Sequence, residues 1–216
     1  MKIGIDGNEA NIENRVGVNQ YAHGLLTSLE KLPEAKGHEF VIYLKDQPGD
    51  HMPKAREGWK YKVLPGVGMW IIKKLMPHLW FTTNKPDVFF SPGGYSPPFS
   101  PVPLVVSIMD LGYLRFPEQF RKYDFYQLKY WGAWSMRIAK KIIVISESTK
   151  HEILEHYPWA RGKVEVTYPG YDKKNFQFPV TSFQIQRVKK KYGIDGDYFL
   201  FLSSLKPCKN VEGLVE

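Results

Sequence analysis

Short unbroken apolar runs recur along the chain between longer segments of helical periodicity. Residues 2–6 (KIGID), 39–44 (EFVIYL), 87–90 (DVFF), 104–108 (LVVSI) and 141–145 (KIIVI) are rich in β-branched and aromatic side chains. They lack regular polar alternation, so each predicts a strand buried on both faces. Weaker runs at 61–64 and 164–167 predict two more strands, and 198–203 (YFLFLS) predicts a last one. Tyr21, Leu25, Leu26 and Leu29 recur at helical spacing, giving a helix over 18–32 that Pro33 stops. An aromatic-rich helix is expected over 122–139. Ser146 is placed to cap another helix reaching residue 157, and shorter helical segments are expected at 182–192 and from 211 onward.

Strands alternating with helices in this way predict an α/β fold: a Rossmann-like open, mostly parallel sheet with helices on both faces. About seven strands would fill a first domain over residues 1–195, leaving 196–216 as the truncated start of a second domain. Ligands of such sheets bind beyond the carboxyl ends of the strands. The loops after Asp6, Phe90, Ile108, Ile145 and Thr167 are therefore the places to look for a site.

Composition narrows the function classes. The 216 residues are 43% hydrophobic and 24% charged, a soluble globular balance, and one cysteine, Cys208, leaves neither an internal disulfide nor a cysteine zinc site. No apolar stretch approaches the roughly 20 residues that span a bilayer, and no signal-peptide pattern opens the sequence, so a cytoplasmic location is expected. Net charge is +8, with clusters at Lys73-Lys74, Lys140-Lys141 and Lys189-Lys190-Lys191. Such a surface suits solubility and helix C-termini, or an anionic membrane, a phosphorylated substrate or nucleic acid. Nucleic acid is disfavoured because no finger spacing or RNA-recognition signature is present. Segment 69–80 (MWIIKKLMPHLW) reads either as a helix packed on the sheet or as one lying on the inner face of a membrane.

The sequence has no phosphate loop, no GxGxxG after the first strand, no nucleophile elbow and no HExxH. Its six histidines form no ligand pattern. The loop Arg15-Val16-Gly17-Val18-Asn19-Gln20-Tyr21 stands at a helix entry, where a glycine admits a ligand to the backbone and free N–H groups favour anions.

Six segments, in order and covering the whole chain, resemble one family, the retaining GT-B glycosyltransferases of group 1, or family four. They are Gly17-Val18-Asn19-Gln20-Tyr21, Asp87-Val88-Phe89-Phe90-Ser91-Pro92, the stretch from Val105 through Asp110 to Glu118, Ile143 to Lys150, Tyr168-Pro169-Gly170-Tyr171-Asp172, and Phe201 to Asn210 (FLSSLKPCKN). The resemblance implies transfer of a sugar, mannose among the candidates, from a nucleotide-diphosphate donor to a glycan or lipid-linked acceptor with retention. It implies a substrate nucleotide sugar but no cofactor and no metal. Gly17, Val18 and Asn19 would lie near the donor phosphates and transferring sugar, with Met109, Ser146 and Gly170 also on the substrate side. Lys209 would neutralise the departing diphosphate, where negative charge grows in the transition state. Ser204 stands where many members carry an arginine.

Two departures bear on activity. The family histidine before Asp110 is Met109 here, and Asp110 reads either as a catalytic carboxylate or as a cap on the following loop. The family's E-x7-E donor motif belongs beyond residue 216, so this chain alone is expected to be inactive and truncated. The alternative is a non-catalytic Rossmann-like binding module. The apolar run 198–203, lacking its own domain, is expected to offer an edge for dimerisation.

Overall fold

The protein is described here from a computed structural model, which covers residues 1–171, 176, 179–205 and 207–216. They form two compact units, Met1–Pro169 and Gly170–Glu216. The division falls before the expected boundary at residue 195.

The first unit is built on a strand that emerges in the middle of its sheet. β1 (Lys2–Asp6) leads through a loop to α1 (Val18–Lys31), whose leucines pack back on the sheet and whose chain stops where Pro33 follows. β2 (Glu39–Leu44) and β3 (Trp59–Val63) follow on one side, then α2 (Met76–Phe81) carries the chain back to β4 (Val88–Ser91) on the other side of β1. Next come β5 (Leu104–Ile108), the helices α3 (Gly112–Arg115), α4 (Lys122–Tyr126) and α5 (Ala133–Ile138), β6 (Lys141–Val144), α6 (Glu147–His156) and β7 (Val164–Val166). The order across the sheet is β3-β2-β1-β4-β5-β6-β7, and every pairing is parallel. This is the Rossmann-like architecture that the alternating pattern predicts.

Alternate residues of the buried strands feed two cores. Val41 and Tyr43 join Phe89, Val106, Ile108 and Val144 under α2, α5 and α6. Phe40, Ile42 and Leu44 join Ile5 and Phe90 under Ala22 and Leu26 of α1. This two-sided burial explains why the central strands read as continuous apolar runs. The edge strand β3 differs, with Trp59 fully buried, Lys60 and Lys62 exposed, and Tyr61 and Val63 half-buried. It starts two residues before the predicted run, where Trp59 pairs with Phe40 of β2 and their tilted rings lie 5.1 Å apart.

Two expectations need correction. The helix over 122–139 is not uniform: residues 127–132 form a π turn between α4 and α5, and a second π turn, 71–75, precedes α2. Residues 198–203 form no strand. They pair with no other strand among the described residues, and Phe199, Leu200 and Leu202 are exposed. Apolar composition alone cannot make a strand without a ladder to join. In segment 69–80, Trp70 is buried with its indole N–H on the Leu64 carbonyl (2.6 Å), while Trp80 is exposed.

The second unit, by itself, holds α7 (Ser182–Tyr192) and α8 (Glu212–Val215). α7 carries a full capping box: Thr181 Oγ1 accepts from the Gln184 amide, and Gln184 Oε1 accepts from the Thr181 amide. Gly193, left-handed at φ 63°, ends it after Lys189, Lys190 and Lys191.

Gly7 shows how tightly the sheet's centre is closed. A Cβ there would lie 2.4 Å from Ile42 Cγ2 and 2.9 Å from Leu44 Cδ2, both fully buried. Gly7→Ala is therefore expected to cost about 1–3 kcal/mol by overpacking. Denaturant unfolding checks this, and an unchanged midpoint would contradict the packing described.

Candidate functional site

The sheet reverses its strand order between β1 and β4, and the loops beyond their carboxyl ends face each other there. β1 ends at Asp6, whose Oδ1 accepts from the Asn8 amide (3.1 Å) and side chain (2.7 Å). Asn8 Oδ1 in turn accepts from the Lys45 amide (2.8 Å), tying the loop after β1 to the end of β2. Burial pushes the Asp6 carboxyl up to about 6; the Asn8 bonds oppose this, and the neighbouring Glu9 adds to it. Burial also raises Glu9, against the pull of Lys45.

Glu9 is the centre of the seam. Its Oε2 accepts from Asn19 Nδ2, so a carboxylate on one side of the loop holds the helix entry on the other. Gly93, after β4, packs against the same side chain; a Cβ at Gly93 would sit 3.1 Å from Glu9 Cγ. Gly94 follows in the left-handed region, φ 82°, with its Cβ position 3.4 Å from the Ser107 carbonyl. Ser107, buried on β5, shares a hydrogen bond with Tyr21 OH of α1 (3.1 Å). Burial raises the Tyr21 phenol.

Gly17 is exposed at φ 46° and forms the N-cap of α1. No side chain caps that helix, and its first turn carries no acid. The Tyr21 amide bonds back to the Gly17 carbonyl (3.0 Å) and the Asn19 amide to Val16 (3.0 Å). This is an open helix start whose dipole suits an anionic group. Val18 and Asn19 are half-buried beside it.

The end of β5 supplies the other predicted group. Met109, half-buried, offers its carbonyl to Thr149 Oγ1 (3.0 Å), and Thr149 Oγ1 lies 3.0 Å from Ser146 Oγ. Ser146 caps α6 by accepting from the Thr149 amide (3.1 Å), as its sequence position predicts. Asp110 is exposed, and its Oδ1 accepts from the Gly112 amide (2.8 Å) at the start of α3. The capping role is therefore present in the structure.

Along the carboxyl edge Asn19 is thus bonded to Glu9, Gly93 and Gly94 lie close to Glu9 and Ser107, and Met109, Thr149 and Ser146 form a separate hydrogen-bonded group beyond the end of β5. Gly170, Ser204 and Lys209 belong to the second unit and are exposed; Lys209 ends the 3₁₀ turn Pro207–Lys209. Asp172 and Lys206 of the quoted motifs lie outside the described residues. Sequence reading missed Glu9, Ser107 and Thr149. Nothing in their local spacing marks them, although "DGNE" after a buried strand places a carboxylate in the right loop. Among the described residues, no three His, Cys, Asp or Glu side chains are grouped so that they could hold a metal ion, and no helix is long and apolar enough to cross a membrane.

The strand order defines a Rossmann-like domain whose switch point lies between β1 and β4. Residues 16–175 match the family described as Glycosyltransferase Family 4, and the chain belongs to that family. It shares its fold with HepE from Anabaena, a protein solved in complex with UDP-glucose. The two align over 89% of this chain with a TM-score of 0.53 and 16% sequence identity. The chain spans about half (50%) of that protein's length. No curated protein matches the sequence.

Asp6 supplies a pH test of the site's electrostatics. Its folded pKa, about 6, lies above the ordinary 3.8, so the folded state binds the proton more tightly. Its stabilising contribution is full below about pH 4 and is lost as pH rises through about 6, a change on the order of 3 kcal/mol. Asp6→Asn should therefore gain stability relative to the native chain between pH 4 and pH 7.5, read by denaturant unfolding at each pH. Parallel stability curves would contradict the burial assigned to Asp6.

Proposed function

We propose that this chain is the acceptor-side half of a glycosyltransferase that moves a sugar from a nucleotide-diphosphate donor to a glycan or lipid-linked acceptor with retention. The observation that carries the reading is the seam at the carboxyl edge. An uncapped helix start at Gly17, fit for an anionic group, lies along one line of contacts with the polar end of β5. That UDP-glucose is bound by a structural neighbour supports a nucleotide sugar as the donor class.

In this reading Gly17, Val18 and Asn19 face the donor phosphates and the transferring sugar, with Glu9 fixing Asn19. Met109, Ser146 and Gly170 belong to the substrate side. Lys209 supplies the cation for the departing diphosphate from the second domain, of which residues 196–216 are the start, and Ser204 takes the place of a further cation. Asp110, already a cap for Gly112, faces the reacting groups with its remaining acceptor capacity. Met109 favours a second reading, a binding module without turnover, because a thioether cannot give the polar contact that the histidine of similar proteins offers.

The protein carrying both domains separates these readings through release of nucleoside diphosphate from a panel of nucleotide sugars. Asp110→Asn keeps an acceptor for Gly112, so its stability should stay within about 1 kcal/mol of the parent. Its kcat should fall by at least about a hundredfold, with KM little changed, if the carboxylate acts in the transition state. Turnover unchanged by Asp110→Asn leaves Asp110 a cap only, and no turnover with any donor supports the binding module.

A further inference from the structure

Exposed aromatic side chains line the helical run 122–138 of the first unit. Tyr123, Tyr126, Tyr130 and Trp134 recur three or four residues apart along the helical run 122–138 and are all exposed. The Trp134 indole N–H donates to the Pro98 carbonyl (3.0 Å) and that of Trp80 to the Phe99 carbonyl (3.1 Å), so two helices and one loop share the surface. Phe99 and, at the end of α2, Phe81 are 65% and 87% exposed, although they are wholly apolar. A groove of about 450 Å³ runs between Trp80, Phe99 and Trp134 over the prolines of the 98–103 loop. Phe81, Phe99 and Lys140 come shortly before β4, β5 and β6, so this end of the face lies toward the amino ends of the strands, away from the seam.

Charge along this run is mostly positive, with Arg137 set over the Trp159 ring. Between residues 121 and 140 the ionisable side chains, leaving tyrosine aside, are Arg121, Lys122, Lys129, Arg137 and Lys140 against the single acid Asp124. Lys129 Nζ lies 5.5 Å from the centre of the Phe125 ring and 5.7 Å from that of Tyr130, a cation set among the aromatics. Lys163 Nζ donates to the Arg137 carbonyl (2.8 Å), bringing a further cation beside Arg137.

We propose that this aromatic, cation-rimmed face docks on the surface of an anionic lipid bilayer. Tyrosine and tryptophan have an apolar body and a polar tip, and they concentrate where hydrocarbon meets water. Phe81 and Phe99 supply apolar groups free to enter the acyl boundary, and the flanking lysines and arginines meet the headgroup charge. A second copy of the chain is a poorer occupant, because a two-fold contact through this face would set the same cations against each other. The inference does not rest on the sugar-transfer reading.

Co-sedimentation of the 216-residue chain with vesicles tests it. The chain should bind vesicles of phosphatidylcholine mixed with phosphatidylglycerol and fail to bind phosphatidylcholine alone. Phe81→Ser with Phe99→Ser, and separately Lys122→Glu with Lys129→Glu, should each weaken that binding at least about tenfold. The melting temperature should be nearly unchanged, since the substituted side chains lie on the surface. The proposal is overturned if anionic vesicles are not bound, or if the phenylalanine pair leaves binding intact, which would reduce the effect to bare charge. Self-association abolished by the same variants without vesicle binding also overturns it, in favour of a second copy.

Discussion

The parallel ladder through β1 is the constraint on which the rest of the structure depends. β1 pairs with β2 on one side and with β4 on the other, so the chain must cross from one half of the sheet to the other between β3 and β4. That crossing sets the carboxyl ends of β1 and β4 side by side where the strand order reverses and leaves the middle of β1 buried between its neighbours. The close fit of Gly7 against Ile42 and Leu44 follows from the same burial, since the chain leaves the sheet there with no room for a side chain. The half-buried Asp6 and Glu9 result from it too, because the loop must carry its polar groups into a space closed by neighbouring strands.

Most polar groups in such a place are bonded, the buried Ser91 hydroxyl at the end of β4 being an exception. Asp6 is met by Asn8, Asn8 by Lys45, Glu9 by Asn19, and Ser107 by Tyr21. The result is a seam in which the loop after β1, the start of α1 and the ends of β4 and β5 hold one another in place. Two glycines, Gly93 and Gly94, allow the loop after β4 to approach that closely. A preorganised edge of this kind suits a reaction in which charge develops on a leaving group, because its dipoles need little rearrangement.

Much of the fold was legible in the sequence because local and global signals agree there. The runs at 2–6, 39–44, 104–108 and 141–145 are apolar on both faces, and all became central strands. Ser146 and Pro33 mark a helix start and a helix end by backbone chemistry that needs no tertiary context. Residues 198–203 failed for the opposite reason: a strand exists only by pairing, and composition carries no information about a partner. The π turns at 71–75 and 127–132 are register shifts inside helices, invisible to a periodicity count over so short a span. At the site, Gly17, Asn19 and Ser146 were legible as loop and cap residues. Glu9, Ser107 and Thr149 were not, because each is defined by a neighbour 10 to 86 positions away in the chain.

The central claim is that the seam beside Gly17 is the ligand edge of a sugar-transferring domain. A crystal structure of the protein carrying both domains, with a nucleotide sugar bound, tests it most directly. The account predicts the diphosphate and sugar lying over the backbone of Gly17 to Asn19, within hydrogen-bonding reach of the α1 start and the end of β5. A ligand seated elsewhere, with that loop facing only solvent, would contradict it.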